Sequence, residues 1–150
     1  MATSPASFKG HPSHPMLVAL PIGLWIFSLV SDIIFKMGWG GAVWSEVAFY
    51  TIAGGTVGAL IAALPGFVDL TSITNPKTKS IALWHMFINL LAVATFACDF
   101  WLRTKRPPGD NLPIVLSVVG IILITISGWL GGELVYVRGM AVREPPDSSI

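Results

Sequence analysis

The chain has 150 residues, of which 53% are hydrophobic and only 11% are charged, and its mean hydropathy is +0.73. A soluble domain carries about 25% charged residues, so most of this surface is expected to contact lipid rather than water. The net charge of +1 and the lack of a basic cluster exclude a nucleic-acid-binding protein. The single cysteine, Cys98, excludes an internal disulfide, a thiolate zinc site and a cysteine-ligated iron–sulfur cluster.

Four apolar runs follow one another along the chain, and each has the roughly 20 residues that a helix needs to cross the hydrocarbon layer. The sequence predicts spans at about residues 16–35, 47–70, 81–102 and 113–136. The connections are short, so consecutive helices are expected to run antiparallel. We therefore predict an all-α fold, a single membrane domain over residues 1–150 built as an up-down-up-down four-helix bundle with a loose tail at residues 138–150.

The segment before the first span holds two of the three histidines, His11 and His14, each followed by a proline. It does not resemble a cleavable signal peptide, because Lys9 is followed by His-Pro-Ser-His-Pro rather than by an apolar core. Proline pushes the preceding residue into extended geometry, and residues three apart in such a stretch lie about 9 Å apart. This stretch alone is therefore not expected to form a compact metal site.

Small residues recur every fourth position in the second span, at Gly54, Gly58, Ala62 and Gly66. A stripe of this kind lets another helix or a flat ligand approach the backbone. Close packing against a neighbouring helix is the interpretation that the sequence favours. No long internal repeat is visible, which makes a transporter the less favoured class.

Ionisable residues fall near both membrane faces. On one face Asp32 and Asp99 each have a basic residue four positions later, Lys36 and Arg103 respectively. Ordinary ion pairs within one helix are expected there, with the charges reaching towards the interface.

The opposite face collects five ionisable residues: His11, His14, Asp69, His85 and Glu133. Asp69, His85 and Glu133 have no basic residue three or four positions away, and Asn89 lies one helical turn after His85. Ionisable groups inside a membrane need a partner and mark functional sites. We therefore expect the candidate site at this face.

Three functions are compatible with this group of residues. A b-type haem would take His85 and either His11 or His14 as axial ligands, with glycines of the second and fourth spans making room for the porphyrin. A non-haem iron, copper or zinc ion would be held by His11, His14 and His85 together with Asp69 or Glu133. Alternatively, the polar groups satisfy one another without any cofactor. The sequence contains no catalytic motif and leaves open whether the protein is an enzyme.

A family resemblance is carried by the motif Gly-His-Pro-x-His-Pro-x-Leu-Val-x-x-Pro-Ile-Gly-Leu-Trp at residues 10–25. With Ala-Ala-Leu-Pro-Gly-Phe-Val-Asp at 62–69, His85 with Asn89-Leu90-Leu91, and Gly-Gly-Glu-Leu-Val-Tyr at 131–136, the chain resembles the bacterial domain-of-unknown-function family 2231. The resemblance implies a small four-helix membrane protein. Some members resemble fusions with Rieske or cytochrome modules, which implies electron transfer at the membrane.

One position departs from the family pattern. Arg138 stands where the family often has a histidine followed by Gly-Val. If that histidine is a ligand in relatives, this chain has fewer ligands, which favours an accessory or assembly subunit without a cofactor.

The resemblance and the composition together predict where the protein acts and with what. We expect a multi-pass protein of the bacterial inner (cytoplasmic) membrane, in contact with the lipid bilayer and with other subunits of a respiratory or photosynthetic type of complex. Basic residues number five on the side of the N terminus and four on the other, so the positive-inside rule gives no orientation. The favoured function is a redox subunit that binds haem b or a non-haem metal ion.

Overall fold

The computed structural model describes residues 4–142, and most of them are helical. The four helices are α1 (Ser13–Lys36), α2 (Val43–Thr71), α3 (Pro76–Arg103) and α4 (Asn111–Gly132), and a π-helical segment, Glu133–Val137, continues α4. All four are long and apolar enough to cross a membrane. The predicted all-α, four-span fold is confirmed, and the short connections are consistent with the up-down-up-down order. Residues 143–150 of the tail predicted to be loose lie outside the described residues.

Helices α3 and α4 begin before the predicted spans, because capping residues lie in the polar sequence that precedes each span. Helix α3 begins at a proline and is capped by Asn75, whose side chain accepts hydrogen bonds from the backbone N–H groups of Lys77 and Thr78. Helix α4 is capped by Asp110, which accepts one from Leu112 N at 2.9 Å. Proline at a first helical position and Asn or Asp as the cap are the preferred residues.

The N-terminal segment turns back on itself before α1. Strands β1 (Ser7–Phe8) and β2 (His11–Pro12) pair antiparallel, and Lys9 and Gly10 adopt positive φ angles of 48° and 83° in the turn between them. His11 is extended, as predicted, and exposed. His14 is helical rather than extended, because α1 already begins at Ser13. Pro15 lies in the first turn of this helix, where its missing N–H is tolerated.

The small-residue stripe of α2 packs against α1. A Cβ atom added at Gly54 would lie 3.4 Å from Leu24, and one added at Gly58 would lie 3.5 Å from Leu20 and Pro21. These are ordinary van der Waals distances. The backbone of α2 therefore lies about one methyl group away from contact with the side chains of α1. The stripe therefore serves helix packing within the α1–α2 hairpin.

Helices α1 and α3 carry matching inward-facing residues at the same spacing. Trp25 follows His14 by eleven residues, and Phe96 follows His85 by the same number. The two aromatic rings stack at the centre of the bundle, with centroids 4.1 Å apart and planes 12° apart. The α1–α2 and α3–α4 hairpins thus contact each other through residues that lie at the same distance from the histidine of each hairpin.

Glycines on the partner helices receive the two stacked rings in the same way. A Cβ atom at Gly55 of α2 would lie 2.7 Å from the Trp25 ring, and one at Gly120 of α4 would lie 2.4 Å from the Phe96 ring. The correspondence holds at scattered positions, with His14 and Gly55 matched by His85 and Gly120 but Trp25 by Phe96, so no continuous repeat is visible in the sequence. The internal repeat is one of spacing and packing.

Candidate functional site

Two histidines from different hairpins meet near one end of the bundle. His14 lies in the first turn of α1 and His85 in the third turn of α3, and both are partly buried. Their ring centroids are 6.3 Å apart, and the ring planes are nearly perpendicular at 88°. Of the five predicted site residues, these two are brought together.

A glycine of the partner helix underlies each imidazole ring. A Cβ atom at Gly66 of α2 would lie 2.8 Å from Nδ1 of His14, and one at Gly131 of α4 would lie 3.1 Å from Cε1 of His85. Contacts this short would displace the rings. These glycines therefore set how deeply the two imidazoles enter the bundle.

In both rings, a hydrogen bond to a main-chain carbonyl places a proton on Nδ1. Nδ1 of His14 lies 2.8 Å from the carbonyl oxygen of Ala62, and Nδ1 of His85 lies 2.9 Å from that of Ser127. A carbonyl oxygen only accepts hydrogen bonds, so each Nδ1 carries the proton and donates it. In the neutral form of either ring the lone pair is then on Nε2, the form in which imidazole binds a metal.

The lone pair of His85 has a partner in α3 itself. The side-chain nitrogen of Asn89 lies 3.1 Å from Nε2 of His85 and 3.0 Å from the main-chain oxygen of the same residue. Because that oxygen only accepts, the amide group presents its NH₂ to both atoms. Asn89 therefore donates to Nε2, a contact that its position one turn after His85 allows.

The other three predicted site residues do not join the imidazole pair in a metal-holding group within residues 4–142, and they have partners of their own or are exposed. Asp69 accepts hydrogen bonds from the Ser4 hydroxyl at 2.7 Å and from Ala6 N at 3.1 Å, so it anchors the N-terminal segment to the end of α2. Glu133 accepts one from Arg138 at 3.3 Å. His11 is exposed on the small hairpin. Within residues 4–142, no group of three or more His, Cys, Asp or Glu side chains is placed to hold a metal ion.

The Glu133–Arg138 pair is absent from the sequence-based expectations because its spacing is unusual. The two residues are five positions apart, whereas side chains on an α-helix meet at three or four positions. The π-helical segment Glu133–Val137 has the wider turn that an i to i+5 pattern produces. No simple sequence signal marks such a segment.

A buried ionic cluster lies at the opposite end of α1 and α3. Arg103 donates two hydrogen bonds to Asp32, at 2.8 and 2.6 Å, and one to Asp99 at 2.8 Å. Ser117 of α4 donates to the second oxygen of Asp99 at 2.6 Å. The side chain of Asp99 is fully buried, and that of Arg103 is only 10% exposed.

One of the two ion pairs expected at this end is present, and the other is replaced. The Asp99–Arg103 pair forms as predicted. Asp32 pairs with Arg103 of the other hairpin instead of Lys36, whose ammonium group donates to the side-chain oxygen of Asn111 at 2.8 Å. A planar guanidinium group binds a carboxylate at two points, which a lysine does not match.

The imidazole pair and the ionic cluster lie near opposite ends of the membrane span. Eighteen residues separate His14 from Asp32 along α1, which corresponds to about 27 Å of helix at 1.5 Å per residue. A polar pocket of about 340 Å³ opens beside the ionic cluster, with Glu46, Tyr50 and Arg106 among its lining residues. The membrane interior between the two ends is filled by the aromatic stack and aliphatic side chains.

Large apolar side chains cover the outside of the bundle. Leu64, Phe67 and Leu90 are 70%, 60% and 55% exposed, respectively. Together with four helices of membrane-spanning length, this surface defines a multi-pass integral membrane protein in contact with lipid.

Comparison with known proteins identifies the family. Residues 10–144 match the family described as "Predicted membrane protein (DUF2231)", and the chain belongs to it. This confirms the predicted family. No match to the chain was found among curated proteins or among solved structures.

Proposed function

We propose that this protein is a redox subunit of the bacterial inner membrane that binds one transition-metal centre between His14 and His85. The observation that supports it is the pair of imidazoles, with centroids 6.3 Å apart, that the two hairpins contribute. Ionisable or coordinating groups inside a membrane are functional candidates by default. A metal that changes its oxidation state would carry one electron at a time.

The separation of the rings agrees with ligation of a single metal. A ring nitrogen lies about 1.1 Å from the imidazole centroid and a metal–nitrogen bond is about 2.0–2.1 Å, so two ligands on opposite sides of one ion have centroids about 6.3 Å apart. The centroids of His14 and His85 are 6.3 Å apart, and ligation of one ion also requires both Nε2 atoms to face it. Donation from Nδ1 to a carbonyl, as both rings do here, is the usual arrangement behind a metal-binding Nε2.

The number of protein ligands favours copper(I) or haem iron over zinc. Zinc takes four ligands in structural sites and at least three from the protein in catalytic sites. In the described part of the chain, only two candidate ligands converge here. Imidazole suits copper, and haem iron needs only axial ligands from the protein because the porphyrin supplies the others. Both centres use the same two-imidazole chemistry.

Packing distinguishes the two centres. Gly66 and Gly131, on the two helices where glycines were expected to leave room for a porphyrin, contact the imidazole rings themselves. A porphyrin would therefore require the hairpins to separate further than a single copper ion would. This difference favours copper over haem iron as the metal bound by the two imidazoles.

The experiment is purification of the native protein in detergent, followed by metal analysis and absorption spectroscopy. Copper near one equivalent without a Soret band supports a copper centre, and a Soret band that shifts on reduction supports haem. His14→Ala and His85→Ala should each remove the metal, whereas His11→Ala, which changes an exposed histidine of the same motif, should retain it. A colourless, metal-free wild-type protein would refute the proposal.

A second candidate function is an accessory or assembly subunit of a larger membrane complex without its own cofactor. It is favoured by the pairing of buried polar atoms: among the described residues, no fully buried side-chain nitrogen or oxygen lacks a hydrogen-bond partner. In this case His14 and His85 would act by joining the hairpins. His85→Ala would then leave the spectrum and metal content unchanged but would weaken co-purification with partner subunits.

A further inference from the structure

We propose that Asn89 makes the two imidazoles unequal by competing with the metal for Nε2 of His85. This inference rests on the proposed metal centre and names the residue that would regulate access to it. The side-chain nitrogen of Asn89 lies 3.1 Å from that ring nitrogen. A metal ion takes the same lone pair, so the hydrogen bond must break before His85 binds.

Two main-chain oxygens, which only accept, orient the ring of His85 and the amide of Asn89, and the Ser127 hydroxyl lies 3.0 Å from Nδ1 on the same side of the ring as the first of them. The main-chain oxygen of Ser127 fixes the proton on Nδ1, which leaves Nε2 as an acceptor. The main-chain oxygen of His85 fixes the NH₂ group of Asn89 on the inner side. Asn89 therefore supports the tautomer that metal binding requires while blocking the nitrogen that would bind.

The matching position of the other hairpin lacks this block. Val18 follows His14 by four residues, as Asn89 follows His85, and both are partly buried. Valine has no hydrogen-bonding side chain, and within residues 4–142 the ring of His14 bonds only through Nδ1. His14 is thus the permanently available ligand, and His85 is the one that closes the site after Asn89 moves aside.

The geometry predicts opposite effects for two matched substitutions. Asn89→Val places on α3 the residue that α1 has and removes the competing donor, whereas Val18→Asn adds a donor one turn after His14. A hydrogen bond contributes about 1 kcal/mol net, so removal of the competitor should tighten metal binding about fivefold, and its addition on α1 should weaken binding by a similar factor.

The test uses the full chain in detergent, titrated separately with copper(I) in competition with a chelator and with haem. A second readout in the metal-free protein is the ¹⁵N chemical shift of His85 Nε2, which should move in Asn89→Val while that of His14 stays in place. Helical circular dichroism identifies a variant that fails to fold, and Val18→Asn then tests the inference with Asn89 intact.

The outcomes separate this inference from the proposed function. Wild-type protein that binds neither copper(I) nor haem overturns both. Wild-type binding with unchanged affinity in folded Asn89→Val, or unchanged affinity in folded Val18→Asn, overturns the role of Asn89 alone. Tighter binding in the first variant together with a shifted His85 resonance supports it.

Discussion

Gly120 is the point where the backbone of α4 approaches the bundle core most closely. A Cβ atom there would lie 2.4 Å from Cζ of Phe96, a fully buried ring stacked on Trp25. Because the stacked pair has no free space to move into, Gly120→Ala is expected to lower stability by about 1–3 kcal/mol, the usual cost of overpacking a core. Thermal unfolding in detergent micelles measures it.

Gly128 of the same helix provides the matched control. A Cβ atom added there meets nothing within 4 Å, and alanine favours a helix over glycine by about 1 kcal/mol. Gly128→Ala should therefore be neutral or stabilising. Equal destabilisation by both substitutions would contradict the packing of Phe96 against Gly120.

The close approaches at single residues were only partly predictable. The small residues at every fourth position of α2 identified the face that packs on α1, and Gly66 on that face does lie against the ring of His14. This spacing missed Gly55, which lies beside the stripe and receives Trp25. Spacing defines a helix face, but the size of the side chain opposite determines where a glycine is needed.

At the scale of one element, Asp110 makes the stability of the start of α4 depend on pH. Its hydrogen bond from Leu112 N and its contact with Arg106 hold the pKa of Asp110 below the ordinary value. A carboxylate whose pKa is lower in the folded state stabilises above the unfolded pKa of about 3.9, and this contribution is lost as pH falls through the folded value. We expect the melting temperature to decline in this acidic range.

Asp110→Asn isolates that contribution, because asparagine caps a helix about as well as aspartate. The variant should show a shallower loss of melting temperature than the wild type between about pH 5 and pH 3. Identical pH profiles would show that the charge of Asp110 has no part in the stability of α4.

Element ends depend on signals that an apolar-run analysis ignores. The spans were predicted from hydrophobic length, and α3 and α4 begin earlier than predicted, in polar sequence, where Asn75 and Asp110 cap them. The π-helical segment after α4 gives no comparable signal, so the contact between Glu133 and Arg138 was missed. The number and type of helices were predictable, whereas the geometry of their ends required the structure.

Across the whole molecule, the contacts between hairpins were the least predictable. Sequence reasoning placed His14 and His85 at one membrane face because spans alternate in direction, and they do meet. It also paired Asp32 with Lys36, because local spacing says nothing of a partner on another helix. Pairing between hairpins depends on how the helices face each other, which is set by the whole packed bundle.

Arg103 tests how far the bundle depends on pairing between the hairpins. Its side chain is 10% exposed and binds Asp32 of α1 and Asp99 of its own helix. Arg103→Gln leaves two carboxylates without their counter-charge, and removal of one partner from a buried ion pair costs about 3–5 kcal/mol. Unfolding in micelles should show a loss of this size.

Two controls separate the buried charge from the loss of arginine as such. Arg106→Gln removes an exposed pair with Asp110, whose side chains are 42% and 22% exposed, and should cost less than about 1 kcal/mol. The triple variant Asp32→Asn, Asp99→Asn, Arg103→Gln removes every charge of the cluster and should recover much of the lost stability, since the penalty comes from unpaired buried charge. If Arg103→Gln is as mild as Arg106→Gln, then the hairpins are held together by the aromatic stack and helix packing, and the ionic cluster is dispensable for folding.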